Sequence, residues 1–176
     1  MTTSPSVRRA VLWAWLSCGI LDITSAVVIT ILGGSKPARM LQGIAASVLG
    51  PQSFDMGAAT AILGLVMHFV VALSATLVFY LASRRWPAML EHPVVSGILF
   101  GVFWLLVMYR GVIPALAALR PLWLATPPKR PLPDLWPVPL LVHMTCVGLP
   151  IALAMSRFAP RPARVGTQAS DSRLSR

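Results

Sequence analysis

The sequence predicts an all-α membrane protein in which four transmembrane helices form a bundle, with a short outer interfacial amphipathic helix. Four apolar runs each reach the length of about 20 residues that a helix needs to cross a bilayer. Hydrophobic residues make up 56% of the 176 residues and charged residues 11%, a composition unlike that of soluble domains. The basic residues cluster at the ends of the runs, as at a membrane surface. An ordinary soluble fold is therefore excluded.

One membrane domain is predicted to cover residues 9–158. It follows a polar lead over residues 1–8 and precedes a basic tail over residues 159–176, which is predicted to be disordered. The first run is followed by Gly33 and Gly34, which stop a helix. The predicted spans are about residues 9–32, 56–83, 93–119 and 138–158.

A short amphipathic helix is predicted over residues 36–49. Pro37 suits its first turn, and Gly50 provides a stop. Apolar residues recur at helical spacing, but the helix is too short to cross a bilayer. We expect it to lie in the outer interface or to fold over the mouth of the bundle.

The two later connections differ in kind. About nine residues separate the second and third spans, so these helices are predicted to be antiparallel neighbours. A proline-rich outer loop is predicted over residues 120–137. In the third span, Gly97 and Gly101 form a GxxxG pair that would let another backbone approach closely.

The distribution of basic residues predicts that both termini face the cytoplasm. With that orientation the cytoplasmic segments hold Arg8, Arg9, Arg84, Arg85, Arg157, Arg161, Arg164, Arg173 and Arg176. The outer segments hold Lys36, Arg39, Arg120, Lys129 and Arg130. Because the net charge of +10 is concentrated at the ends of the spans, the lipid bilayer is the predicted partner and nucleic acid is not.

One charged or histidine residue is set inside each span, away from its ends, and these four residues define a predicted intramembrane polar layer: Asp22, His68, Arg110 and His143. At about 1.5 Å per residue, all four lie roughly 18–24 Å from the inner ends of their spans. A charge facing lipid would cost several kcal/mol. Small residues near Asp22 and His68, including Cys18, Gly19 and Gly64, indicate that both side chains face the bundle.

Two prolines near this layer are predicted to kink their helices. Pro114 has no N–H for the carbonyl of Arg110, and Pro150 has none for that of Cys146. The freed carbonyls either help to shape a small cavity or ion path, as in transporters, or merely accompany bends in the helices.

The charges in the polar layer predict a salt bridge between Asp22 and Arg110. Its role is either to fix the register of the helices or to handle protons or ions, and Arg110 could instead extend toward the outer surface. The two histidines allow hydrogen-bonded packing, a proton relay, or a bis-His haem held by His68 and His143. No metal motif accompanies them, so no cofactor is predicted, with haem as the alternative.

The motifs of common enzymes are absent, and only five carboxylates occur in the chain. The predicted function is therefore non-enzymatic: a small transport or proton-handling role through the polar layer. The alternative is a structural or accessory membrane subunit, and a third reading is a haem electron carrier. Because one four-helix bundle leaves little room for a pore, a homo-oligomer or a membrane complex is expected.

Three stretches resemble bacterial four-helix inner membrane proteins: residues 36–45, residues 64–69 and residues 80–85. A more distant similarity is to the YagU-like inner membrane proteins. There, too, a histidine lies in an apolar helix and a proline-rich loop precedes a last helix with a histidine, like His68 and His143 here. This resemblance covers about residues 20–158. It implies a bacterial inner (cytoplasmic) membrane location and a link to acid tolerance, and it supplies no catalytic residue.

Overall fold

A computed structural model describes residues 6–118 and 137–160. Four helices in these ranges are long and apolar enough to cross a membrane, and we name them the first to fourth spans: Val7–Leu32, Ala58–Arg85, Pro93–Leu116 and Pro137–Phe158. The described ranges contain no strand. The predicted number of apolar helices is thus confirmed. The proline-rich loop, the basic tail and most of the polar lead fall largely outside the described ranges, so these assignments stay predictions.

The α-helices within these ranges are α1 (Val7–Leu32), α2 (Pro37–Leu49), α3 (Ala58–Arg85), α4 (Ala88–Glu91), α5 (Pro93–Leu106), α6 (Ile113–Ala118), α7 (Pro137–Val142) and α8 (Leu149–Phe158). A 3₁₀ turn, Pro51–Phe54, lies in the connection between α2 and α3. The third span contains α5 and most of α6, and the fourth contains α7 and α8.

The third and fourth spans each change from α-helix to a π-helical segment and back. The two segments are Val107–Val112 and His143–Gly148. Pro114 and Pro150 each follow a segment after a single intervening residue. Because proline lacks an N–H, the carbonyl four residues before it loses its regular α-helical hydrogen bond. In a π turn each N–H donates instead to the carbonyl five residues before it. Both predicted kink positions therefore adjoin irregular helix.

Small side chains let the first span pack closely on its neighbours. Ala10, Ala14 and Cys18 are buried and recur every four residues, so they share one face of α1. That face belongs to a buried cluster that also contains residues of α3 and α8. In contrast, the side chains of Leu32 and Leu81 are 82% and 65% exposed. Apolar surface is thus plentiful on the outside of the helices, as on a lipid-facing surface.

Backbone contacts fix the directions of the helices. The amide of Ser6 donates to the carbonyl of Phe158 at 3.1 Å, so the first span begins beside the end of the fourth. Gly97 lies against Leu149 and Ala152, whereas Gly101 lies against His143 and Met144. The third and fourth spans are therefore antiparallel, and the predicted close approach at Gly97 and Gly101 is confirmed.

Helix α2 packs along the beginning of the second span. Gly64 makes this possible, because a side chain there would collide with the carbonyl of Leu41. Gln42 is buried and its amide donates to the carbonyl of Gly57 at 2.9 Å. The hydroxyl of Ser53 donates to the carbonyl of Gln42 at 3.1 Å. Helix α2 is thus held against the second span, and its predicted place in the outer interface or over the mouth of the bundle stays a prediction.

We expect Gly148→Ala to destabilise the protein, because a Cβ there would collide with the backbone of Gly97 and Gly101. Overpacking of this kind costs about 1–3 kcal/mol. Gly111→Ala is the matched control, since a Cβ at Gly111 meets no atom within 4 Å. Unfolding curves in mixed detergent micelles measure both variants. Equal stability of the two variants would contradict the close packing of the third and fourth spans.

Candidate functional site

A cavity of about 470 Å³ lies between the four spans, and we name it the central cavity. It is lined by the second halves of the first and third spans, the middle of the second and the first half of the fourth. Met40 and Ile44 of α2 also line it. Asp22, His68 and His143 all contribute to its wall. The structure thus brings three of the four predicted polar-layer residues to one cavity.

Asp22 and His68 form the polar pair of this cavity. One carboxylate oxygen of Asp22 lies 3.8 Å from Nδ1 of His68, and the two side chains are 23% and 11% exposed. Nε2 of His68 lies 2.9 Å from the carbonyl oxygen of Gly19. Because a carbonyl only accepts hydrogen bonds, Nε2 carries a proton and donates it. Nδ1, which faces Asp22, is therefore the nitrogen that gains or loses a proton.

An aromatic cluster positions the imidazole of His68. The ring of Phe69 packs edge-on against that of His68, with centroids 5.4 Å apart. Phe69 also fills the space in which a side chain of residue 19 would lie, so a Cβ at that position would displace the Phe69 ring. The indole of Trp15 donates to the carbonyl of Phe69 at 2.8 Å. Two hydrogen bonds, from Trp15 to Phe69 and from His68 to Gly19, thus connect the first and second spans around the histidine.

Gly19 and Phe69 make contacts with His68 that the sequence did not predict. The carbonyl of Gly19 is a backbone group and has no residue signature, although the small residues beside Asp22 predicted a close helix contact there. The role of Phe69 depends on a neighbour 50 residues away in the sequence. Only the folded geometry identifies either residue.

His143 uses the other ring nitrogen, Nδ1, for its hydrogen bond to the backbone, whereas His68 uses Nε2. Its Nδ1 lies 2.9 Å from the carbonyl oxygen of Pro139, so Nδ1 is the donor. Nε2 is consequently the atom that can gain a proton. His143 is also the first residue of the π-helical segment of the fourth span. Such segments occur frequently at functional sites.

Arg110 does not join the cavity wall, and the predicted salt bridge between Asp22 and Arg110 is wrong. Among the residues that the structure describes, the ion-pair partner of Asp22 is His68. Arg110 is exposed and lies in the π-helical segment Val107–Val112. Met108 and Tyr109 of this segment line the cavity instead. The extra residue of the π turn changes which side chains of this span line the cavity. Arg110 is exposed and is not part of the cavity wall.

The remaining wall of the cavity is mostly apolar. Trp104 and Tyr109 supply aromatic rings, and Cys18 lies near Asp22 on the first span. Within residues 6–118 and 137–160, no three side chains of the His, Cys, Asp and Glu types meet as a metal site would require. Ligation of haem by Nε2 of His68 would break its bond to Gly19.

Comparisons with protein families, with curated proteins and with solved structures found no match to this chain. The resemblance to the YagU-like proteins stays a prediction.

We expect the two cavity histidines to hold opposite tautomers when neutral. His68 keeps its proton on Nε2 and His143 on Nδ1, because each donates to a fixed backbone carbonyl. Nitrogen NMR of protein labelled with ¹⁵N-histidine distinguishes these forms. A background of His92→Gln removes the third histidine, and His143→Gln then assigns the two signals. The same tautomer at both positions would contradict the hydrogen bonds described here.

Proposed function

We propose that this chain is a multi-pass membrane protein that binds and releases protons at the Asp22–His68 pair, in a small transport or proton-handling role. The observation that carries this proposal is the position of Nδ1 of His68. It faces the carboxylate of Asp22 at 3.8 Å, while Nε2 is occupied by the carbonyl of Gly19. The proposed role is non-enzymatic: the pair would take up a proton and pass it on.

Several features support a membrane location with both termini on the cytoplasmic side. Arg9 stacks over the ring of Phe158 at 5.3 Å, at the end of the bundle where the first span begins and the fourth ends. α4, which follows Arg85, contacts α8 at this same end. The basic ends of three spans therefore lie together, as the positive-inside rule expects. With the resemblance noted above, we assign the protein to the bacterial inner membrane.

The charge distribution of the Asp22–His68 pair favours a proton between the two side chains. With no proton between them, the lone pair of Nδ1 faces a negatively charged carboxylate, which is unfavourable. With one proton on Nδ1, the pair becomes an imidazolium beside a carboxylate. The 3.8 Å separation exceeds hydrogen-bond distance, so a small side-chain rotation is needed for direct transfer.

The cavity supports proton handling over the alternative of an accessory subunit with a packing role. A pair that only fixes the register of helices would need no open space beside it. Here both members line the cavity, and nearly a quarter of the surface of Asp22 remains exposed. Small groups can therefore reach the carboxylate. A homo-oligomer stays part of the proposal, although the described cavity is built within one chain.

We expect Asp22→Asn to abolish proton flux in liposomes while leaving the protein folded, because the neutral amide cannot stabilise an imidazolium at His68. A pH-sensitive dye inside the vesicles measures the flux. Asp55→Asn is the matched control, since Asp55 is exposed and is not part of the cavity wall. Circular dichroism and gel filtration verify the fold of both variants.

Two outcomes would contradict the proposal. One is a folded Asp22→Asn variant with the flux of the unmodified protein. The other is a flux in the unmodified protein that equals that of empty vesicles over acidic and neutral pH, which would favour the accessory role.

A further inference from the structure

The central cavity has one carboxylate and no arginine or lysine in its described wall. The other titratable groups that line it are Cys18 on the first span, His68 on the second, Tyr109 on the third and His143 on the fourth. α2 adds only Met40 and Ile44 to this wall. With Asp22 ionised and the histidines neutral, the charge of the cavity is negative. An anionic ligand would face Asp22 without a fixed positive partner.

The mostly apolar wall also favours a ligand whose main part is apolar. Most of its side chains are aliphatic or aromatic, and polar groups are confined mainly to the neighbourhood of Asp22 and the histidines. A sugar or a zwitterion would lose hydrogen bonds to water that this wall does not replace. Trp104 and Tyr109 supply aromatic rings of the kind that stabilise cations.

The volume fits a small organic molecule. At about 470 Å³, the cavity lies within the usual range for ligand pockets of roughly 300–1,000 Å³. Carboxylate, aromatic rings and apolar wall occur in the same space. This combination recognises a positive head attached to a hydrophobic body.

We propose that the central cavity binds a small monovalent organic cation with an apolar body, and that the cation replaces the proton held by the Asp22–His68 pair. The inference rests on the proposed function and names its substrate class. Cation and proton both neutralise Asp22, so binding of one disfavours binding of the other. No covalent step is involved: the proton leaves to solvent as the cation enters.

Three probes of similar shape test this selectivity in detergent-solubilised full-length protein. Benzyltrimethylammonium carries a positive charge at every pH, benzyl methyl sulfone is neutral, and phenylmethanesulfonate is negative. Isothermal titration calorimetry measures their affinities. Repeating each titration in buffers of different ionisation enthalpy gives the number of protons released per ligand bound.

We expect benzyltrimethylammonium to bind more tightly than the other two probes and to release protons under acidic conditions. Asp22→Asn should weaken its binding about tenfold or more, as expected when a desolvated charge partner worth roughly 1.4 kcal/mol is removed. Asp55→Asn should bind like the unmodified protein. Equal affinity for the neutral or negative probe, or an unchanged affinity in a folded Asp22→Asn variant, would overturn the inference.

Two further outcomes separate this inference from the proposed function. Proton flux that depends on Asp22, with no binding of benzyltrimethylammonium, would overturn the substrate class and leave proton handling intact. Cation binding that depends on Asp22 but releases no proton at any pH would support the cation site and contradict proton handling at the pair.

Discussion

The hydrogen bond between His68 and the carbonyl of Gly19 is the contact on which the proposed site depends. It joins the first and second spans and determines which nitrogen of the imidazole faces Asp22. Without it, the ring could turn and present either nitrogen to the carboxylate. The glycine, the ring of Phe69 and the indole of Trp15 together hold this geometry. A backbone contact thus sets the chemistry of an ionisable side chain.

Close packing elsewhere in the bundle leaves the space that the cavity occupies. Gly97 and Gly101 draw the fourth span against the third, and Gly64 draws α2 against the second. The π-helical segments Val107–Val112 and His143–Gly148 then widen the third and fourth spans beside the cavity. The close contacts between the spans and the π-helical turns together border a partly open, mostly apolar space next to the Asp22–His68 pair.

The sequence predicts the apolar helices well because the bilayer demands long hydrophobic segments whatever their tertiary contacts. It also predicts that Asp22, His68 and His143 share one region, since polar groups avoid lipid. The place of Arg110 could not be predicted in this way, because the extra residue of a π turn shifts the faces of the helix. The pairing of Asp22 with His68 was missed as well, because charge alone favours arginine as the partner. A backbone acceptor such as Gly19 leaves no pattern in the residues.

A double-mutant cycle on the free energy of unfolding tests the central claim most directly. The variants are Asp22→Asn, His68→Gln and the two combined. Gln retains an amide that can donate to Gly19 but cannot become an imidazolium, so the cycle isolates the interaction with the carboxylate. We predict a coupling of roughly 0.5–3 kcal/mol, as is usual for interacting neighbours. Effects that add to within about 0.3–0.5 kcal/mol would show that the two residues act independently and would contradict the account.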